Sequence, residues 1–449
     1  MVRTRFAPAP TGYLHIGNIR TALFNFLFAR RKKGGFLLRI EDTDPLRASA
    51  EYERAIFDDL HFLGLTWDGE PVRQSERKEL YINHAERLLE SGNAYRCYCS
   101  RERLEELRRS QLARGLPPVY DRRCLKEPPT DKKDHVVRFR MPHRKITFTD
   151  RVYGRLEFNG ADIGDFIIVD SGGRATYNLT CVVDDATMGI THIIRGEDHL
   201  SNTPRQIAIA QALGFKVPEY IHLPLVTGAD RKPLSKRHTG VSIKELRKEG
   251  YLPIAILNCA ARLGWHIEGL LTLEEMTESF SVEKLSRSPS IFDTTTLKRL
   301  NKTAIEMASA EELLKYLEGL EGSPEESLAP VVEAVKGNAE TLKELKGLVT
   351  SIVERPLLDE RLKGLVSGSK AVLEEALCLL EGAKELDENI FNTIIEELKK
   401  GGRKTKEVFM PLRVALTGTT RGIELTRVAT LLGREEAIQR IKKALEEVK

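Results

Sequence analysis

Arg5-Phe-Ala-Pro-Ala-Pro-Thr-Gly-Tyr-Leu-His-Ile-Gly-Asn18 is the stretch whose reading decides the fold. It overlaps a short apolar-rich strand candidate, Val2–Ala7, which stops at Pro8. The prolines and Gly12 shape a tight turn, and a helical pattern then runs from about His15 to Lys33. A helix opening straight after a strand presents its first amides and the positive end of its dipole, which favour a polyphosphate. Gly17 lets a nucleotide approach the backbone, and an imidazole at His15 can donate to phosphate oxygens. Alone, His-x-Gly reads as an ordinary helix start with a surface histidine.

Working outward, a second strand candidate, Gly35–Ile40, leads into the acidic turn Glu41-Asp42-Thr43-Asp44, and helical periodicity follows at Ala50–Leu63 and Arg77–Ser91. This rhythm predicts a parallel sheet with helices on its faces. From about Ala94 to Asp185 the character changes: cysteines cluster, Pro117-Pro118 and Pro128-Pro129 interrupt the chain, and Val136–Phe158 reads as short strands. The segment is expected to be an insertion. The alternation returns with a strand at Thr191–Arg195, a helix at Pro204–Leu213 and a strand at Tyr220–Val226. Beyond about Ala304 the chain reads as nearly all helix, as at Ala310–Leu317, Ala339–Val349 and Lys370–Leu380.

Composition bounds the rest. At 449 residues the chain exceeds one ordinary core, so several domains are expected. Hydrophobic residues are 41% and charged residues 30%, and no apolar run approaches a membrane span, so a soluble cytoplasmic protein is expected. Six cysteines in so long a chain do not suggest a disulfide framework. A net charge of +4 leaves any nucleic-acid contact to local patches.

A second motif, Asp230-Arg-Lys-Pro-Leu-Ser-Lys-Arg-His238, sets Lys232 and Lys236 four apart with Ser235 between them. Two such lysines can clamp a triphosphate as charge moves to departing pyrophosphate; alone they read as a solvated basic loop. Together, His-Ile-Gly-Asn18 and Lys232-Pro-Leu-Ser-Lys-Arg resemble the paired signatures of class I aminoacyl-tRNA synthetases. The blocks Arg39-Ile-Glu-Asp-Thr-Asp44, Tyr177-Asn-Leu-Thr-Cys-Val-Val-Asp-Asp185, Ile194-Arg-Gly-Glu-Asp-His199 and Asn202-Thr-Pro-Arg-Gln206 look like those of bacterial-type glutamyl-tRNA synthetases. So do Ser288-Pro-Ser-Ile-Phe-Asp293 and Phe409-Met-Pro-Leu-Arg-Val-Ala-Leu-Thr-Gly418, so the resemblance runs from end to end.

The resemblance implies an α/β Rossmann-type catalytic domain with an α+β insertion, followed by an all-α anticodon-binding region. Residues 1–95 and 186–235 would be the catalytic halves, 96–185 the acceptor-stem insertion, 236–305 a helical stem-contact segment and 306–449 the anticodon domain. It implies ATP-dependent activation of L-glutamate and transfer to tRNA, with magnesium on the phosphates. His15, Gly17, Lys232, Ser235 and Lys236 would be catalytic, with His15, Gly17, Asn18 and Lys236 on ATP. Arg5, Ala7, Glu41, Tyr177 and Arg195 would hold glutamate, the arginines because their planar donors match carboxylates. Taken singly, Arg5 reads as a surface residue and Arg195 as an ion-pair partner of Glu197 or Asp198. No editing domain is recognisable, and Cys181 takes no role.

Cys97-x-Cys99 and Cys124 point to a structural zinc site, against the alternative of three free thiols. Lys126 stands where some similar enzymes have a histidine, and Tyr120 matches an alternative Tyr-x-x-x-Cys pattern. Lys399-Lys400, Arg403-Lys404, Lys406, Arg413 and Arg421 are candidate phosphate contacts. The partners expected are glutamate tRNA, with glutamine tRNA left open; a monomer is expected. The rivals are a nucleotidyltransferase without an RNA partner and a synthetase-like protein that holds tRNA without catalysis.

Overall fold

The computed structural model describes residues 1–129, 134–228, 242–317, 325–400 and 402–448. It divides into two compact units, Met1–Glu245 with Ile256–Thr294, and Leu246–Ala255 with Thr295–Lys449.

In the first unit, β1 (Arg3–Phe6) lies parallel to β2 (Gly35–Ile40), and β2 carries β3 (Val72–Arg73) on its other edge. An antiparallel sheet joins β4 (Ala94–Cys97) to β5 (Val136–Phe139); the hairpin β6 (Lys145–Asp150)–β7 (Gly154–Asn159) follows, and β8 (Phe166–Val169) completes that sheet. β9 (His192–Gly196) and β10 (Glu219–Leu223) are parallel, and β10 also pairs with β6. The Thr191 amide donates to the Arg3 carbonyl at 3.0 Å, so this sheet abuts β1. Strands therefore leave β1 in both directions, β2 and β3 one way, β9 and β10 the other. The gap between β1 and β9 is a topological switch point, where open α/β sheets bind ligands.

The helix Ile16–Arg31 begins at a capping box and is buried on most of its faces, including Ile19, Leu23, Phe24 and Leu27. It packs on the sheet, and its Phe24 ring lies 5.2 Å from that of Phe280. Its buried Asn25 joins the two sheets: Nδ2 donates to the Ile194 carbonyl at 2.9 Å, and Thr4 Oγ1 donates to the Asn25 carbonyl at 2.9 Å.

The strand expected over Tyr220–Val226 is split into β10 and β11 (Val226–Thr227), which pairs with β12 (Ser290–Ile291). Pro224 stands at the break, where it has no amide proton for a ladder. The insertion also contains a helix, Arg101–Ala113, that the apolar pattern did not reveal because none of its residues is buried.

The second unit is built of helices through Leu425–Glu446. The one expected at Ala339 begins instead at Leu342, because the Thr341 side chain accepts from the Glu344 amide and caps it there. Gly433, with φ 72°, kinks the last helix. Among the described residues, no helix is long and apolar enough to cross a membrane.

Candidate active site

A cleft of about 710 Å³ opens at the switch point, lined by Arg5 and Phe6 at the end of β1, by Ala7 just after it, and by Ile194, Arg195 and Gly196 at the end of β9. Gly17, Asn18, Glu41 and Tyr177 also line it, with His15 at the helix start.

His15 is the N-cap. Its Nδ1 accepts from the Gly17 amide at 3.1 Å, while Asn18 Oδ1 accepts from the His15 amide at 3.1 Å. Because Nδ1 is an acceptor, the neutral ring carries its proton on Nε2. A Cβ on residue 17 would stand 3.0 Å from His15 Cε1, so glycine there is what lets the imidazole fold over the first turn.

Arg5 is 4% exposed and not a surface residue. Its Nε donates to Asp185 Oδ1 at 3.0 Å, and Arg39 Nη1 donates to the same oxygen at 2.6 Å. Arg39 Nη2 reaches Glu41 Oε1 at 3.0 Å. Burial alone would raise the Asp185 carboxyl, but Arg5 and Arg39 outweigh it and hold it down at about 2. Glu41 goes the other way, raised by burial against the pull of Arg39. Cys181 lies beneath, its thiol pushed up to about 11 by burial and by the charge of Asp185.

On the opposite side, Arg195 makes no ion pair among the described residues, with Glu197, Asp198 or any other carboxylate. Its Nε donates to His222 Nε2 at 3.2 Å and its Nη2 to Thr203 Oγ1 at 2.8 Å, while Nη1 is buried without a partner among the described residues. An orphaned guanidinium nitrogen beside a cleft is a standing demand for an acceptor. The Tyr177 hydroxyl lies 3.0 Å from His199 Nδ1, and burial lowers His199 to about 4, so that ring is neutral at pH 7.

The residues 1–299 match the family model "tRNA synthetases class I (E and Q), catalytic domain", and 308–445 match "Anticodon binding domain". A glutamate–tRNA ligase of Carboxydothermus hydrogenoformans is 43% identical, over 98% of this chain and 99% of its own. One from Aquifex aeolicus is 41% identical over 100% and 99%. The chain belongs to the glutamate–tRNA ligase family. A crystal structure of a glutamate tRNA ligase from Elizabethkingia meningosepticum, in complex with its amino acid, superposes with a TM-score of 0.83 at 29% identity, covering all of both chains.

For this glutamate–tRNA ligase relative, the structure brings Arg5, Ala7, His15, Gly17, Asn18, Glu41, Tyr177 and Arg195 around one cleft. Lys232, Ser235 and Lys236 lie outside the described residues. Sequence reasoning missed Arg39 and Asp185, although both fall inside blocks quoted above; Asp150 and His222, behind Arg195, carry no local signal at all.

The three cysteines converge as well. The sulfurs of Cys97, Cys99 and Cys124 all lie within 4.8 Å of one another, with Cys99 and Cys124 3.6 Å apart. A tetrahedral zinc with 2.3 Å bonds holds its sulfurs about 3.8 Å apart, so the set fits that ion. The Tyr120 hydroxyl is 3.3 Å from Cys99 Sγ and accepts from the Cys124 amide at 3.1 Å. Among the described residues no further His, Cys, Asp or Glu joins the group.

The basic residues proposed for phosphate are largely engaged within the helical unit. Lys399 pairs with Glu396 and Arg403 with Glu375, at 2.9 and 2.6 Å, and half-buried Arg413 donates to the Ile423 carbonyl at 2.7 Å.

Proposed function

We propose that this chain activates L-glutamate with ATP and transfers it to the 3′-terminal adenosine of tRNA. The observation that carries the reading is the Arg5–Arg195 pair across a cleft at the switch point, with Arg195 Nη1 buried and unpartnered among the described residues. One substrate carboxylate supplies the partner that Arg195 lacks, and a second can meet the guanidinium nitrogens of Arg5 other than the Nε held by Asp185. A glutamine amide would leave one of them short of its charge partner, which disfavours it.

Chemically, the α-carboxylate attacks the α-phosphorus of ATP, pyrophosphate leaves, and the ribose hydroxyl of tRNA then takes the acyl group with release of AMP. No protein nucleophile is required; positioning and charge stabilisation do the work. Glu41 takes the substrate ammonium, Tyr177 and the backbone at Ala7 flank it, and the Nε2–H of His15 with the amides at Gly17 and Asn18 takes the phosphates. Lys232, Ser235 and Lys236 steady the departing pyrophosphate. Magnesium, when bound, neutralises phosphate charge. Cys97, Cys99, Cys124 and Tyr120 would hold a structural zinc that braces the 96–185 insertion toward the acceptor stem. The segment 236–305 is assigned to the stem, and 306–449 to the anticodon. The protein is proposed to act as a cytoplasmic monomer.

The test is ATP-dependent charging of radiolabelled glutamate onto glutamate tRNA and glutamine tRNA in parallel. Charging of the first alone marks a discriminating enzyme, charging of both a relaxed one, and charging of the second alone a glutamine-tRNA-directed one; the latter two imply a downstream amidation. Charging of neither by folded protein removes the reading.

A further inference from the structure

We propose that the buried Asp150–His222 pair is a positioning device that fixes the guanidinium plane of Arg195 for the glutamate carboxylate. The inference rests on the reading of Arg195 as a glutamate contact. The three residues form a ladder across adjacent strands: His222 on β10 stands directly beside Arg195 on β9, and Asp150 ends β6, which pairs with β10 at Tyr220. His222 and Asp150 have side chains wholly removed from solvent.

The hydrogen bonds fix the direction of the relay. Arginine nitrogens only donate, so His222 Nε2, 3.2 Å from Arg195 Nε, is an acceptor. The proton of the neutral ring then lies on Nδ1 and is donated to Asp150 Oδ2 at 2.7 Å. Asp150 cannot turn away. Its Oδ2 also accepts the His222 amide at 3.0 Å, and its Oδ1 accepts the amides of Val152 and Tyr153, both at 2.9 Å. A carboxylate held by the β6–β7 turn thus sets the histidine tautomer, and the tautomer sets the arginine. Thr203 Oγ1 secures Nη2 at 2.8 Å, which leaves Nη1 as the guanidinium nitrogen without a partner among the described residues. Burial lowers the basicity of His222, consistent with a neutral acceptor. No step of the chemistry consumes this pair; its work is done before substrate arrives.

Asp150→Asn tests the tautomer with little change of shape. An asparagine amide donating to Nδ1 moves the ring proton to Nε2, where it opposes the Arg195 Nε–H. The expected result, in glutamate charging with tRNA present, is a KM for glutamate raised about tenfold or more with the KM for ATP within about twofold. His222→Ala should behave likewise, and His222→Gln, whose side-chain oxygen can accept from Nε, should recover most of the loss. A glutamate KM unchanged in Asp150→Asn and His222→Ala, or raised equally with that for ATP, overturns the proposal. Should the variants not fold, nitrogen-15 NMR of wild-type protein labelled at histidine decides: a neutral Nδ1–H ring at His222 supports the relay, and an Nε2–H ring or an imidazolium overturns it. Wild-type protein that charges no glutamate at all would sink the underlying reading instead, while leaving the tautomer measurement interpretable.

Discussion

Arg5 Nε and Asp185 Oδ1 meet at 3.0 Å with both side chains almost fully buried, and the carboxylate also takes Arg39 at 2.6 Å. Two guanidinium groups on one carboxylate keep it charged where burial would otherwise neutralise it. This ties the strand carrying Arg5 to the helix Tyr177–Thr187, which brings Tyr177 to the same cleft.

Asp185→Asn should therefore leave Arg5 and Arg39 short of charge and cost about 3–5 kcal/mol, read by urea unfolding. The sign of its pH dependence follows from a folded pKa of about 2 against an ordinary 3.8. The carboxylate stabilises the fold above its ordinary pKa, and that contribution is lost as pH falls through the window toward 2. Wild-type stability should drop across that window more steeply than that of the variant. Parallel acid profiles would count against the pair.

Arg195→Lys keeps the charge and loses the fork. A lysine cannot satisfy His222, Thr203 and a carboxylate with fixed planar donors, so the KM for glutamate should rise by about two orders of magnitude, with the KM for ATP little altered. Steady-state charging at varied glutamate measures this; an unchanged dependence on glutamate would remove Arg195 from the pocket.

What could be read beforehand follows the range of the interactions. The Arg5–Asn18 strand, turn and helix are local, so the switch-point fold was legible in their order. The cysteine cluster was legible from spacing, since Cys97, Cys99 and Cys124 are brought together by a short insertion. The break at Pro224 was readable in principle, since a proline inside an apolar run demotes a central strand. The Asp150–His222–Arg195 ladder was not, because it depends on strand register between segments 72 residues apart. Nor does a one-letter count of basic residues reveal that Arg413 turns Nη1 to the Ile423 carbonyl.

Purified protein grown with zinc should carry about one zinc per chain by elemental analysis, and Cys124→Ser should lose it. Tyr120→Phe separates the fourth donor from the packing: the ring remains against Arg138, 4.3 Å away, while the oxygen goes. Reduced zinc affinity in that variant is the expected outcome. Unaltered affinity would assign the fourth position to water or to another group.

Lys236→Ala should lower the rate of adenylate formation by about a hundredfold or more while leaving tRNA affinity near wild type, since the proposed role of its charge is on developing pyrophosphate. Pre-steady-state charging beside filter binding of tRNA tells the two apart; equal loss of both would deny the lysine its assigned role.

Arg440 gives the sharpest prediction for the helical unit. The residue is only 2% exposed, yet its acidic neighbour Glu436 takes just one of its nitrogens, Nε at 2.9 Å. The others cap helix ends: Nη1 donates to Leu416 and Ser351 carbonyls at 2.7 and 3.2 Å, and Nη2 to Ile352 at 2.7 Å. These carbonyls close the helices Leu342–Val353 and Thr405–Thr417, where the dipoles are negative and no further amide follows in register. A buried cation is thus balanced by two helix C-termini. Arg440→Met keeps the volume and abandons three buried acceptors, which should cost about 3 kcal/mol or more in denaturant unfolding. The KM for tRNA should rise with it, while the KM for glutamate stays near wild type. If glutamate affinity fell in step, the arginine would be serving the amino-acid cleft and not the helical unit alone.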